Sequence, residues 1–248
     1  MYSSPMSFKL FLYKLRTDLV HFMRYPQIAA GKGFSVDYDL YWQRRGGIRQ
    51  RGLSAWQKER ADIAARIIER GSSVIDLGAG DGSMLVYLRE KINIKPIGIE
   101  TSKDSLEALR QNGIETVEAD INDFRALATL PEVDYITGFE VLEHTPNPEA
   151  ILDALRGKAR KGMIFSFPNT GYYLHRLRLL CGRFPLQWIA HPGEHLRFWT
   201  VADVRSWVPQ TGYELCALVV YQGLPGLNKL LPTLFAQGIV ISLAEPKS

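Results

Sequence analysis

The chain has 248 residues, 46% of them hydrophobic and 23% charged, with two cysteines and a net charge of +4. This is ordinary globular composition, enough for one sizeable core, and it excludes a disulfide framework. No apolar run is long enough to span a bilayer, and Lys9, Lys14, Arg16 and Asp18 interrupt the apolar start that a signal peptide would need.

Cys181 and Cys216 have no paired spacing, so a reducing, cytoplasmic location is expected. The basic balance is uneven, at +7 over residues 1–60 and −3 over 61–248. With so modest an excess and no recognition fold, no nucleic-acid partner is expected.

In chain order, 7–25 reads as a basic amphipathic helix, with Phe8, Phe11, Leu12, Leu15, Leu19 and Phe22 on one face. It either caps the fold or makes peripheral contact with an anionic membrane surface. Residues 26–53 read as an irregular connector in which Tyr38 and Tyr41 either fold over a ligand or simply pack. The first 53 residues thus form a cap or lid, and 54–248 the main domain. That domain begins with a helix over 54–70, with Trp56, Ile63, Ala64, Ile67 and Ile68 inward and Gly71 as its stop.

Strands and helices then alternate. Strands are predicted at 74–77, 95–100, 116–120, 134–140 and 163–167, and helices at 83–91, 103–111, 122–129 and 148–159. Asn147 is a plausible cap for the last of these. A helix over 201–208 capped by Thr200 and strands at 213–221 and 238–244 complete the pattern, with a Pro/Gly-rich loop at 222–233. Alternation implies a Rossmann-like α/β fold: seven strands, mostly parallel, helices on both faces, and an antiparallel hairpin at the edge.

Val74-Ile75-Asp76-Leu77-Gly78-Ala79-Gly80-Asp81-Gly82 carries the most information. A strand runs into a glycine turn and a helix N-terminus, where the backbone can approach a ligand closely and amide groups attract an anion. The spacing is G-x-G-x-G, not the dinucleotide G-x-G-x-x-G. Glu100 ends the second strand 18 residues after Gly82, where an acid can accept from both ribose hydroxyls.

These residues resemble motif I and its companions in class I S-adenosylmethionine (SAM) methyltransferases. The resemblance implies a cofactor site lined by Asp76, Gly78, Ala79, Gly80, Gly82, Glu100, Thr101, Asp120, Ile121 and Glu140, with SAM as cofactor and S-adenosylhomocysteine as product. Asp120 would bond the adenine amino group and Ile121 pack on the ring. Glu140-Val-Leu-Glu143-His144 is similar to the E-x-x-E-H of ubiquinone-type O-methyltransferases and small-RNA 2′-O-methyltransferases, some of which bind a divalent metal there.

His144 and His195 are the acid–base candidates. His144 reads as a base, a metal ligand or a structural group, and the expected site holds no metal. Over 166–200, the run Ser166-Phe-Pro-Asn169, Gly171, Arg176, Gly182-Arg183, Trp188 and His195 is similar to the methionine-biosynthesis protein W group, over roughly 72–221. Methyl transfer to a small or lipid-linked acceptor, at oxygen, is the expected activity. The alternative is a catalytically silent fold that regulates or scaffolds a partner enzyme. Arg176, Arg178, Arg183 and Arg197 in the insertion at 170–199 either hold an anionic acceptor or belong to a solvated helix and its packing.

Overall fold

The computed structural model describes residues 8–24, 52–187 and 192–246. Tyr38, Tyr41, Trp188 and His191 lie outside them. One seven-stranded sheet organises the chain, in the order β3-β2-β1-β4-β5-β7-β6. Its strands are β1 (Ser73–Leu77), β2 (Lys95–Glu100), β3 (Glu115–Glu118), β4 (Val133–Phe139), β5 (Ala159–Pro168), β6 (Glu214–Tyr221) and β7 (Gly238–Ala244). All pairings are parallel except those of β7, which is antiparallel to both β5 and β6.

The first five strands are joined by helices α3 (Ser83–Ile92), α4 (Lys103–Gln111), α5 (Phe124–Ala128) and α6 (Pro148–Ala154). Between β6 and β7 stand only α9 (Leu227–Leu230) and α10 (Pro232–Phe235), single turns too short for a parallel crossover. These two helices lie where a Pro/Gly loop was expected. The antiparallel edge follows from that short connection.

Period-two alternation sends successive side chains to opposite faces, and both faces are covered. Ile75, Leu77, Phe165, Phe167 and Ile241 join one core with α6 and α8 (Val201–Trp207). Val74, Ile164 and Val240 join the other with α2 (Ala55–Ile67) and α3.

Local signals cap several ends, Asn147 and Thr200 as expected. Ser54 and Gln57 form a capping box at α2, Thr200 and Asp203 form another at α8, and Asn147 Oδ1 accepts from Ala150 N at 3.2 Å. Several boundaries move: α2 ends at Ile67, α5 is confined to Phe124–Ala128, and β5 begins at Ala159 where 163 was expected. The helix predicted over 148–159 stops at Ala154, because Gly157 turns the chain with φ +75° and β5 already begins at Ala159. β3 ends at Glu118, which leaves Asp120 in the following turn.

Helix α1 (Phe8–Met23) docks against α7 (Tyr173–Leu180), a helix within the insertion. Polar contacts join the two. Asp18 is 4% exposed and accepts from the hydroxyls of Tyr172 at 2.7 Å and Tyr173 at 2.9 Å. Leu12, Leu15 and Leu19, from the face expected to be buried if the helix caps the fold, are exposed instead.

Candidate functional site

The chain order of the sheet reverses between β1 and β4, and a crevice opens at the carboxyl ends of strands on such a boundary. Those ends bring together the glycine turn, Glu100, Glu140 and the 142–144 turn. Gly78, Gly80 and Gly82 all have positive φ (62°, 58° and 76°), the left-handed backbone that favours glycine.

The turn is tied to β2. Ala79 N donates to Ile99 O at 3.1 Å and Gly80 N to Glu100 Oε1 at 2.9 Å. Thr101 N donates to the other oxygen, Oε2, at 2.9 Å. Gly78 is exposed while Ala79, Gly80 and Gly82 are buried, so Gly78 offers the open backbone of the turn. Asp120 is exposed, its Oδ1 accepting from Asn122 N at 2.8 Å, with Ile121 half-buried beside it.

Asp76 lies beneath the turn, 3% exposed, and accepts from Thr137 Oγ1 at 2.7 Å. Burial pushes its carboxyl up to about 7, against the Thr137 hydrogen bond and the Arg60 charge, with Glu100 adding repulsion. This acid shapes the site from below.

Glu140 follows β4 directly and has φ +58°, an uncommon conformation for a residue with a side chain. A Cβ on Gly78 would lie 2.9 Å from Val141 Cγ2, which places the chain after β4 against the glycine turn. Arg60, 5% exposed on α2, pairs with Glu140 at 3.0 Å. Sequence reasoning gave Arg60 no role. Its only local signal is a charge among the inward positions Ala61, Ile63 and Ala64.

His144 and His195 meet, with rings 4.7 Å apart at 87°. Leu196 N and Arg197 N both donate to Glu143 O, at 2.7 and 3.1 Å, and this staples the distant segment onto the 142–144 turn. His144 Nδ1 lies 2.6 Å from Glu194 O. A carbonyl only accepts, so Nδ1 carries the proton and Nε2 carries the lone pair. The Glu194 carbonyl thus orients His144.

Glu143 is 1% exposed, and among the described residues no donor comes within hydrogen-bond distance of its carboxylate oxygens; His144 Nε2 lies 3.8 Å from Oε1, and the Glu140 carboxylate is its other polar neighbour. Burial and then the charge of Glu140 hold its carboxyl well above the usual range. Burial lowers both imidazoles, with His195 falling to about 3, so both are neutral at pH 7. One ligand atom from each of Glu143, His144 and His195 lies within 4.8 Å of the others, close enough to share a metal ion. Glu140 is not in that group.

The four insertion arginines spend donors on the protein. Arg176 donates to Gly171 O, Arg178 to Phe22 O, Arg183 to Met23 O, and Arg197 to both oxygens of Glu149. Trp199 is buried against Phe167 and Trp207. Packing accounts for these residues.

The model of a family described as methionine biosynthesis protein MetW matches residues 58–222. Among curated proteins, the chain is 29% identical over 160 residues to the bifunctional methionine biosynthesis protein MetXA/MetW of Rhodopirellula baltica. That match covers 58% of this chain and 25% of the relative, so the chain spans about a quarter of its length. It is 26% identical over 165 residues to the ubiquinone biosynthesis O-methyltransferase of Methylococcus capsulatus, covering 63% and 69% of the two chains. A SAM-dependent methyltransferase from Thiobacillus denitrificans, solved in complex with S-adenosyl-L-homocysteine, superposes with a TM-score of 0.57 at 13% identity. The superposition covers 86% of this chain and 100% of that one. The likeness establishes the class I methyltransferase fold.

Proposed function

The chain belongs to the MetW family, within the class I SAM-methyltransferase fold, and we propose that it binds SAM and transfers a methyl group to the oxygen of a small or lipid-linked acceptor. The observation that carries the reading is the latch between Glu100 and the Gly80 amide, which sets an acceptor-only carboxylate beside an exposed glycine backbone.

The donor set suits the cofactor. Glu100 matches vicinal hydroxyls, Asp120 an exocyclic amine, Ile121 a flat ring and Glu140 an ammonium group. Gly78 gives room, and Asp76, Ala79, Gly82 and Thr101 shape the turn around it. The cofactor supplies an already electrophilic methyl group, so the protein needs mainly to orient an acceptor and receive its proton. His144 is neutral and oriented by Glu194, and its Nε2 lone pair, 3.8 Å from Glu143 Oε1, suits it to take a hydroxyl proton, with His195 at its edge.

Support for a lipid-linked acceptor and peripheral membrane contact is the exposed apolar surface of α1 and the α7 region. Leu12, Leu15, Leu19, Leu180 and Phe184 lie there beside exposed Arg16, Arg24 and Arg183. No described helix is long and apolar enough to cross a membrane.

Calorimetric titration with SAM, S-adenosylhomocysteine and NAD tests the cofactor. Binding of the first two alone is expected, and its absence in the folded protein rejects the reading. Labelled methyl transfer from SAM into lipid and small-molecule extracts then tests the acceptor. A second reading, a silent fold that regulates a partner enzyme, is favoured by the Rhodopirellula baltica relative, whose name joins MetXA and MetW in one bifunctional chain. It requires stoichiometric capture of an enzyme with no transfer into any extract.

A further inference from the structure

Three residues far apart in sequence meet on one oxygen atom of a fourth. Glu140 Oε1 lies 3.0 Å from Nη1 of Arg60 and accepts from Ser166 Oγ at 3.0 Å and from the Tyr221 hydroxyl at 3.1 Å. The Glu140 backbone is held as well, its N–H donating to Ser166 O at 3.0 Å and Ser166 Oγ at 3.2 Å. All three side-chain donors converge on Oε1, and none of them is spent on Oε2.

The surroundings make this arrangement rigid. Arg60 is 5% exposed, and Ser166 and Tyr221 are fully buried. The guanidinium lies 5.6 Å from the centre of the Phe139 ring. Trp56 packs edge-on against Tyr221 with centroids 5.2 Å apart. On the other side Gly238 leaves no slack, since a Cβ there would lie 2.3 Å from the Tyr221 ring. Glu140 itself keeps a quarter of its side chain exposed, at the crevice beside the glycine turn.

Burying an arginine is costly, and apolar residues of similar volume often serve stability as well or better. The partner it meets is a partly exposed acid in a left-handed backbone conformation, a combination found where a site is being pre-organised. Three donors suit the ionised, acceptor-only form of a carboxylate. Because all three approach one oxygen, the other is left for a cation at the crevice, with the buried Glu143 carboxyl as a neighbour of the same side chain.

We propose that Arg60, Ser166 and Tyr221 are positioning residues that hold the Glu140 carboxylate against the ammonium group at the amino-acid end of the cofactor. This inference rests on the reading above that Glu140 lines the cofactor site. Arg60 acts through Glu140 and does not touch the cofactor.

The test is calorimetric titration of the full chain with SAM, S-adenosylhomocysteine and 5′-methylthioadenosine, which lacks the amino-acid end. Tyr221→Phe removes one donor and keeps the ring between Trp56 and Gly238. Arg60→Met removes the charge and Arg60→Lys restores it.

Tyr221→Phe is expected to weaken SAM and S-adenosylhomocysteine about threefold to tenfold, and Arg60→Met by about tenfold or more. Arg60→Lys recovers most of the loss, and 5′-methylthioadenosine stays within about twofold throughout. A purely structural role would move all three ligands together, and equal losses in folded Tyr221→Phe overturn the proposal. Unchanged SAM affinity in Tyr221→Phe also overturns it. If Arg60→Met does not fold, Tyr221→Phe and Ser166→Ala decide. Wild-type protein that binds none of the three removes the proposed function and this inference with it. Wild-type binding with indifferent variants removes only the clamp.

Discussion

Replacing Asp76 by asparagine is expected to stabilise the protein at neutral and alkaline pH and to leave it little changed in acid. The carboxyl is 3% exposed, and its pKa rises from 3.8 to about 7 on folding, chiefly through burial. Below pH 4 the group is protonated in both states and costs nothing. Between about pH 4 and 7 the unfolded chain releases the proton while the folded chain keeps it, so stability falls as pH rises.

Above about pH 7 the folded state carries the full cost of a buried charge. A shift of about three units at about 1.4 kcal/mol each amounts to about 4 kcal/mol. Asparagine has the same shape, is neutral at every pH, and keeps an oxygen for the Thr137 hydroxyl. Its second polar group is an amide that needs an acceptor, which takes back about 1–3 kcal/mol if it finds none.

The assay is urea denaturation of both proteins at pH 5, 6, 7 and 8, read as the difference in unfolding free energy. Every other titrating group is common to the two proteins and drops out of that difference. The difference should grow in favour of asparagine by about 2–4 kcal/mol from pH 5 to 8. A difference independent of pH, or one that grows in favour of the wild type, refutes a buried Asp76 with a raised pKa.

Other expectations concern separate parts of the molecule. Gly238→Ala drives a methyl group into the Tyr221 ring, 2.3 Å away, and should cost about 1–3 kcal/mol in denaturant unfolding while weakening SAM binding. Zinc or manganese added to the metal-free chain should bind at Glu143, His144 and His195, and His195→Ala should weaken that binding at least about tenfold; no heat of binding in the wild type would leave His144 as base alone. Asp18→Ala leaves the Tyr172 and Tyr173 hydroxyls without their acceptor and should cost about 2 kcal/mol, read most directly as faster proteolytic release of α1. Anionic vesicles should co-sediment the full chain less well once Leu15 and Leu19 are changed to serine, and equal sedimentation would count against a membrane role for α1.

How much was legible in the sequence depended on how far each cause reaches along the chain. The strand–turn–helix at Val74–Lys91, the acid ending β2, the capping boxes at Ser54 and Thr200 and the alternation of elements all rest on residues within a few positions of one another. Periodicity, caps and glycine conformation express that local physics, so the Rossmann-like fold and the residues of the glycine turn could be read directly. The fate of each polar side chain could not. Whether Arg60 faces solvent or the core depends on which strands α2 covers, and its partners Glu140, Ser166 and Tyr221 come from three different strand ends.

The same holds for His144 and His195. Fifty-one positions apart in number, they are neighbours only because the Glu143 carbonyl binds the returning chain. It holds again for α1, whose apolar stripe left a cap or a membrane contact open, and whose docking rests on Asp18 meeting two tyrosines at the start of α7. Local backbone and side-chain preferences are enough to determine which elements form. Which charged groups become buried together is decided only when the sheet order and its insertions bring distant strand ends to one crevice.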